Sequence, residues 1–220
     1  MDERVPTEPG RHHERDGGGD WDVDRFNRWG ARYDRSLFQP LFFARVHLMI
    51  TAALSPTAGE RIIDVGCGTG SLTLRISSVA GSRATGVDPA PAMVRAARRK
   101  RRAERTTFAV GAAEALPFSD SIFDAAVSSV SAHHWHDPGA GFRELARVVR
   151  PGGRLVVADC TDFGPIVGVL RALGRVPRDH HQGWDPAHLG RLAYVAGFHR
   201  VRVRHRRMLG GRIIVLAARR

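Results

Sequence analysis

Three glycines at alternate positions, Gly66, Gly68 and Gly70, follow a β-branched run and precede apolar residues at helical spacing. A strand that passes through such a turn into a helix lets the backbone approach a ligand without a Cβ in the way. Free N–H groups at the helix N-terminus can then bind an anionic group such as a carboxylate. With Asp64 at the strand end the spacing is D-x-G-x-G-x-G, not the G-x-G-x-x-G of dinucleotide-binding turns. The alternative is a structural βα turn that is rich in glycine.

A second carboxylate, Asp88, ends the next predicted strand, about 20 residues after the glycine turn. A carboxylate at this place can accept hydrogen bonds from both hydroxyls of a ribose. Either an adenosyl or a nicotinamide cofactor carries such a ribose, so Asp88 alone does not distinguish between them.

Three histidines, His133, His134 and His136, lie together in a segment predicted to follow the fourth strand. Asp137 and Pro138 then predict the start of a helix, which places the histidines at the carboxyl end of the sheet. An imidazole there can hydrogen-bond a substrate or act as a base near neutral pH, or the histidines can hold the loop. No cysteine or carboxylate cluster completes a ligand set nearby, so no metal site is predicted.

The segments that must position these residues alternate between strand and helix patterns. Strands are predicted at residues 62–65, 84–88, 106–110, 123–129 and 154–159, with helices between them. After a helix at 186–196, a hairpin about Gly210 and Gly211 ends the chain with strands at 200–204 and 213–217. Val201 and Val203 alternate with arginines, a pattern typical of an edge strand. The terminal hairpin favours a sheet whose last strand is antiparallel.

The motifs resemble, in order and spacing, those of the class I S-adenosylmethionine-dependent methyltransferases. The resemblance is closest to small-molecule enzymes of the methyltransferase domain 11 and quinone-biosynthesis type. It rests on DVGCGTG at 64–70, GAAEALPF at 111–118, SIFDAAVSS at 121–129 and LARVVRPGGRLVVAD at 145–159. It implies an α/β fold with a seven-stranded Rossmann-like sheet, an antiparallel last strand and helices on both faces. It also implies S-adenosyl-L-methionine as cofactor and in-line displacement of its methyl group by an acceptor.

The resemblance also implies which positions contact the cofactor. These are Asp64, Gly66, Cys67, Gly68, Gly70, Asp88, Pro89, Met93, Ala112, Ala113, Glu114 and Val130. Members of the family have Asp where this chain has Ala112, so one adenine hydrogen bond is absent and Ala113 and Glu114 are left to serve the ring. In similar enzymes a histidine pair lies beside the transferring methyl. His133 or His134 is therefore the candidate base, and Asp159 can orient a histidine or a substrate.

The chain divides into three predicted regions. Residues 1–20 predict a disordered tail because charge, proline and glycine dominate them. Residues 21–56 predict an N-terminal helical segment, either a lid over the cofactor and substrate or a helix packed on the domain edge. Residues 57–220 predict the S-adenosylmethionine-binding domain.

Charge and cysteine content set the remaining expectations. The net charge of +12 would attract nucleic acid, an anionic membrane surface or an acidic substrate. No nucleic-acid recognition module is evident, so we expect a small-molecule acceptor, with a membrane quinone or phospholipid, and peripheral contact with an anionic membrane, as the runner-up. Two cysteines, no apolar leader and no long apolar run predict a cytoplasmic protein. A non-catalytic cofactor-binding or regulatory protein of the same fold is the alternative of a different class, and a nicotinamide oxidoreductase is a further one.

Overall fold

The computed structural model describes residues 23–24, 26–27, 38–100, 105–162, 184–208 and 211–220. Its elements in chain order are α1 (Phe38–Leu54), β1 (Arg61–Val65), α2 (Ser71–Ala80), β2 (Arg83–Asp88), α3 (Pro91–Lys100), β3 (Thr106–Val110), β4 (Phe123–Ser129), a 3₁₀ turn (Ala132–His134), α4 (Pro138–Val148), β5 (Val149–Asp162), α5 (Pro186–Val195), β6 (His199–Met208) and β7 (Gly211–Arg219). Residues 23–24 and 26–27 are also helical.

The seven strands form one sheet in the order β3-β2-β1-β4-β5-β7-β6. Strands β1 to β5 pair in parallel, whereas β7 runs antiparallel to both β5 and β6. The predicted fold class, a seven-stranded sheet with an antiparallel last strand, is therefore confirmed. The order reverses at β1 and β4, and ligands in open α/β sheets bind at such a point, beyond the carboxyl ends of the strands.

Helices cover both faces of the sheet, as predicted. On one face Val46, Ile50 and Leu54 of α1 pack with Ile62 and with Ile76 of α2. On the other face the apolar cluster is built by α4, α5 and the buried side of the sheet, with Phe142, Leu145, Leu189, Ala193 and Phe198 among its members. Because β1 lies between the two clusters, its β-branched residues are buried on both sides.

The fifth strand is longer than predicted: β5 runs from Val149 to Asp162 instead of 154–159. Pro151, Gly152 and Gly153 lie inside this strand. Phe123 pairs with Val149 and Ala125 with Arg154, so a bulge absorbs the intervening residues. Gly152 has φ +79° within the bulge, a conformation that suits glycine. The helix before the bulge ends at Val148, as Pro151 requires.

Strand β6 forms one edge of the sheet, which confirms the edge strand predicted from its arginines. The exposed arginines of this strand are Arg200, Arg202, Arg204, Arg206 and Arg207. Charge along an edge strand discourages pairing with another sheet.

Two further predictions concern the helices. Asp137 and Asp185 each cap a helix, accepting a backbone N–H from Ala140 and Ala187 respectively, with proline in the first turn. The predicted tail at 1–20 and about a third of the predicted helical segment at 21–56 lie outside the described residues. Among the helices that the structure describes, none is long and apolar enough to cross a bilayer.

Candidate functional site

A cavity of about 500 Å³ opens beyond the carboxyl ends of β1, β2 and β4. It is lined by Val23, Phe26, Phe43, Ala44, His47, Asp64, Gly66, Cys67, Gly68, Thr69, Ser71, Leu72, Arg75, Asp88, Pro89, Met93, Ala112, Ala113, Glu114, Ser129, Val130, Ser131, His134, Trp135 and His136. Most of the positions singled out in the sequence therefore meet in one place. Gly70, His133 and Asp159 are the exceptions, and they lie behind the wall of the cavity.

The glycine turn is held by the neighbouring strand and leaves no room for side chains. The N–H groups of Gly66 and Cys67 both donate to the Val87 carbonyl, at 2.8 and 2.9 Å. Gly66 has φ +73°, and a Cβ on it would lie 2.1 Å from Ser131 Oγ. Gly70 has φ +81° and starts α2, where a Cβ would lie 2.7 Å from the Phe108 ring. These two glycines shape the turn from behind.

Gly68 differs from these because its open side faces the cavity. It has φ +52°, and a Cβ built on it would meet no atom within 4 Å. Its N–H donates to Asp88 Oδ2 at 2.8 Å. The space over Gly68 is therefore available to a ligand and not to the protein's own side chains.

Asp88 is buried, and each of its carboxyl oxygens already accepts one backbone N–H. Oδ2 accepts from Gly68, and Oδ1 accepts from Ala90 at 2.9 Å. Burial raises the pKa of this carboxyl to about 6, although the two N–H donors act in the opposite direction. Each oxygen keeps a second lone pair that can accept a hydroxyl from a ligand.

Asp64 is fully buried and only half satisfied. Its Oδ2 accepts the Thr73 hydroxyl at 2.6 Å, while Oδ1 has no hydrogen-bond partner in the part of the chain that the structure describes. Burial, helped by the nearby charge of Asp88 and opposed by the Thr73 hydrogen bond, raises its pKa to about 7. A buried carboxylate oxygen on a cavity wall is a good acceptor for a cationic ligand group. Burial also raises the pKa of the adjacent Cys67 thiol, which keeps it neutral.

A second part of the wall is apolar and comes from α3 and the segment after β3. Met93, with 2% of its surface exposed, lines the cavity with Pro89, Ala112 and Ala113. Glu114 also lines it, but its Oε1 accepts the N–H of Asp137 at 3.2 Å. Glu114 is thus partly committed to holding the 3₁₀ turn and α4, and Ala112 supplies no carboxyl.

The two adjacent histidines have different environments. His134 lines the cavity, and its ring meets Phe26 edge-on at a centroid distance of 5.2 Å. His133 lies behind it at a ring distance of 4.0 Å, with Nδ1 2.7 Å from Oδ1 of the fully buried Asp159. The backbone N–H of His133 donates to the other oxygen of Asp159 at 3.1 Å. Asp159 therefore contacts His133 and not the cavity.

Val130 closes the turn after β4 in a strained conformation. Its φ is +51°, a value that a β-branched residue rarely adopts. Its N–H donates to the Ala158 carbonyl of β5 at 2.7 Å, which fixes the turn. Such strain costs on the order of 1–3 kcal/mol and clusters at binding and catalytic sites.

The sequence analysis missed part of the lining, above all Phe43, His47, Arg75 and Ser131. A signal existed for three of them, since Phe43 and His47 are four residues apart in α1 and Arg75 is four residues after Ser71 in α2. Residues at this spacing lie on one face of a helix. Which face met the cavity depended on tertiary packing. Among the described residues, no group of three or more His, Cys, Asp or Glu side chains could hold a metal ion.

Comparison with known proteins agrees with this geometry. Residues 63–157, which span β1 to β5 and the glycine turn, match the family model described as a methyltransferase domain. This segment belongs to the methyltransferase domain family. The match, the sheet order and the relatives below make this part of the chain similar to the class I S-adenosylmethionine-dependent methyltransferases.

Two curated relatives and one solved structure illustrate the similarity. The O-methyltransferase cnsE of Penicillium expansum is 39% identical over 116 residues, 51% of this chain and 42% of that protein. The demethylmenaquinone methyltransferase of Corynebacterium kroppenstedtii is 37% identical over 120 residues, 54% of this chain and 49% of that protein. The chain thus spans about half the length of the curated relatives it matches.

The solved structure is a chain from the Haloferax volcanii complex between the Trm112 methyltransferase activator and a proposed methyltransferase. It is 20% identical, covers 88% of this chain and 96% of that chain, and has a TM-score of 0.73. At this identity the likeness concerns the fold, and it extends well beyond the segment that the family model matches.

The residues present fit S-adenosylmethionine, the cofactor of this family. The unpartnered Oδ1 of Asp64 suits its ammonium group, and the open side of Gly68 leaves the space that a close approach to the backbone requires. The apolar wall around Met93 suits an adenine ring.

Proposed function

We propose that the methyltransferase domain transfers a methyl group from S-adenosylmethionine to a small-molecule acceptor. The observation that supports this most directly is that one cavity holds both Asp88, with the glycine turn, and His134. A cofactor bound along Asp88 and the glycine turn would have its transferable methyl group, and the acceptor, near His134.

In this proposal each part of the cofactor has its own contacts. Asp88 accepts the ribose hydroxyls, Asp64 accepts the ammonium group, and Met93 with the Ala113 backbone contacts the adenine. S-adenosylmethionine supplies a methyl group on a sulfonium, which is already a good leaving group. The main task of the protein is therefore to hold an acceptor in line with that methyl.

His134 is the proposed base for an acceptor that arrives with a proton on its nucleophilic atom. A ring nitrogen of His134 would take that proton, a role suited to an imidazole near neutral pH. His133 and Asp159 would act as positioning residues, since the buried carboxylate holds the ring and the backbone of His133. The ring of His133 in turn packs against that of His134.

The N-terminal helical segment is proposed as a lid. Val23 and Phe26 line the cavity, and Asn27 Oδ1 accepts the N–H of Ala92 at the start of α3, at 3.1 Å. The segment thus lies against residues on two sides of the cavity. Its contact with His134 would exclude water from the site of transfer.

Calorimetric titration with S-adenosylmethionine and, separately, S-adenosylhomocysteine tests the cofactor assignment. We expect micromolar binding to the wild type, lost in Asp88→Ala and retained in Asp120→Ala, whose carboxylate is exposed and is not part of the cavity lining. Folding of each variant is checked by thermal unfolding. Methyl transfer to a panel of small phenols, amines and carboxylic acids then tests the reaction. Failure of the folded wild type to bind either ligand would contradict the proposal.

The alternative is a non-catalytic role. Ala112 favours it because this position lacks the carboxylate that the family has there, and Glu114 already accepts the N–H of Asp137. Cofactor binding without transfer to any acceptor would favour this alternative.

A second candidate acceptor is a quinone or phospholipid presented at an anionic membrane. The five exposed arginines of β6 favour it, since they form a basic row along one sheet edge. Co-sedimentation with vesicles containing phosphatidylglycerol should occur at low salt and disappear at high salt. Replacing Arg202, Arg204 and Arg206 by glutamine should weaken it, and absence of binding at low salt would remove this candidate.

A further inference from the structure

The cavity extends beyond the contacts assigned above, towards the space between α1 and α2. Phe43 and His47 line it from α1, and Arg75 lines it from α2. Helix α1 packs over β4, β5 and β7, whereas α3, which carries Met93, packs over β2 and β3. With β1 between these strands, the α1 end of the cavity, which holds Phe43 and His47, and the adenine end lie on opposite sides of the glycine turn. Helix α2, which carries Arg75, contacts both α1 and β2 and so lies between the two ends.

Arg75 brings a permanent positive charge to this end of the cavity. In the described part of the chain its guanidinium makes no hydrogen bond or ion pair, and its Nε is buried. A buried guanidinium N–H without an acceptor is unfavourable, and most such groups are paired. An anionic ligand would supply the missing acceptor.

His47 contributes a second polar group next to Arg75. Only 9% of its surface is exposed. Burial and, to a smaller extent, the charge of Arg75 lower its pKa to about 4. At neutral pH the ring is therefore uncharged and can donate one N–H. The Phe43 ring, 5.9 Å from that of His47, adds an apolar wall.

We propose that Arg75 and His47 form a carboxylate-binding subsite at the α1–α2 end of the cavity. A guanidinium binds a planar carboxylate through two parallel N–H donors, a geometry that an ammonium cannot reproduce. Two ligands could bring this carboxylate: the amino-acid portion of the cofactor or an acidic acceptor. The second case defines the acceptor class as a carboxylic acid with an apolar body that contacts Phe43. The inference rests on the proposed function for the identity of these ligands.

The cofactor arm compares S-adenosylhomocysteine with 5′-methylthioadenosine, which lacks the amino-acid carboxylate. If Arg75 binds the cofactor carboxylate, Arg75→Met weakens the binding of S-adenosylhomocysteine about 10- to 100-fold and leaves the affinity for methylthioadenosine unchanged. Arg99→Met is the matched control, since Arg99 is exposed on α3. Thermal unfolding checks that both variants are folded.

The acceptor arm uses benzoate and its neutral analogue benzamide, titrated into protein saturated with S-adenosylhomocysteine. If the subsite serves the acceptor, the wild type prefers benzoate by about tenfold or more, and Arg75→Met removes this preference. Arg75→Lys keeps the charge without the paired donors, so it should retain only part of the preference.

The outcomes separate the subsite from the function it serves. An unchanged ratio of the two nucleoside affinities, together with no Arg75-dependent preference for benzoate, would overturn the subsite. Failure of the wild type to bind either nucleoside would contradict the proposed function instead. Titration of benzoate and benzamide into the free protein would then still test Arg75.

Discussion

The Nδ1 atom of His133 lies 2.7 Å from Oδ1 of Asp159, a carboxylate of β5 with no exposed surface. The same oxygen accepts the N–H of Cys160 at 2.7 Å, and the other oxygen accepts the N–H of His133. One buried carboxylate thus ties the 3₁₀ turn of the histidines to the sheet. His134, the next residue in that turn, lines the cavity as a consequence.

Replacing His134 by alanine should slow methyl transfer without weakening the binding of the cofactor. Because proton transfer by a positioned base contributes about 10²- to 10⁴-fold, we expect kcat to fall by that range for an acceptor that must lose a proton. The Kd of S-adenosylhomocysteine should stay within about threefold. His205→Ala, on the exposed edge strand, is the control and should leave kcat unchanged. Unaltered turnover in His134→Ala would remove this histidine from the mechanism.

Asp159→Ala should affect stability more than any surface carboxylate. It removes the acceptor for two backbone N–H groups and one ring nitrogen, and unsatisfied buried donors cost about 1–3 kcal/mol each. We expect the free energy of unfolding in urea to fall by about 2–5 kcal/mol. Asp185→Ala, which removes an exposed helix cap, should cost only about 1 kcal/mol. Equal losses in the two variants would contradict the role assigned to Asp159.

Alanine variants of three glycines with positive φ distinguish the cost of backbone strain from the loss of space for the cofactor. Gly59→Ala and Gly68→Ala have open space around the new Cβ, so both should lose only about 1–2 kcal/mol for the left-handed backbone. Gly68→Ala should also lose cofactor affinity, because its Cβ occupies the open space over the turn, whereas Gly59→Ala should not. Gly66→Ala adds a clash with Ser131, which Ser131→Gly should partly relieve. Titration and urea unfolding measure the two effects, and equal cofactor affinities for Gly59→Ala and Gly68→Ala would contradict this explanation.

Much of the fold was predictable because local patterns determine it. Four local patterns each predicted an element that the structure contains. They are the β-branched run before Gly66, the Asp-Pro pairs that begin at Asp137 and Asp185, and the alternation around Val201. The extension of β5 was not predictable in this way. It depends on pairing of Val149 with Phe123 across a bulge, a tertiary contact with no local signal.

In the candidate site, too, the positions that depend on local pattern were predictable and those that depend on tertiary contacts were not. Asp64 and Asp88 lie at the carboxyl ends of β1 and β2, and Gly68 lies in the turn after β1, so their position at the carboxyl edge of the sheet follows from the topology. The separation of His133 from the cavity depended on its hydrogen bond to Asp159, which only the folded chain forms. Arg75 was hidden for a similar reason, since the face of α2 that meets α1 depends on how the two helices pack.

The raised pKa values of two cavity carboxyls make cofactor binding depend on pH. Burial raises the pKa of Asp64 to about 7 and that of Asp88 to about 6, from an ordinary value of 3.8. Between about pH 4 and 7 the folded chain therefore holds protons that the unfolded chain has released, and these groups make the fold less stable as pH rises. A bound ammonium and ribose hydroxyls favour the ionised carboxylates, so binding should release protons and tighten as pH rises.

Titration of S-adenosylhomocysteine at pH 6.5, in two buffers of different ionisation enthalpy, measures this proton release. We expect a net release of protons on binding. The affinity should increase from pH 5 to pH 8, because at higher pH the two carboxyls are already ionised before the ligand binds. Asp64→Asn should bind more weakly and release fewer protons, because its side chain cannot ionise. Asp120→Asn, with its exposed carboxyl replaced, should match the wild type. Net proton uptake, or a Kd that stays constant from pH 5 to pH 8, would show that these carboxyls do not face the charged part of the cofactor.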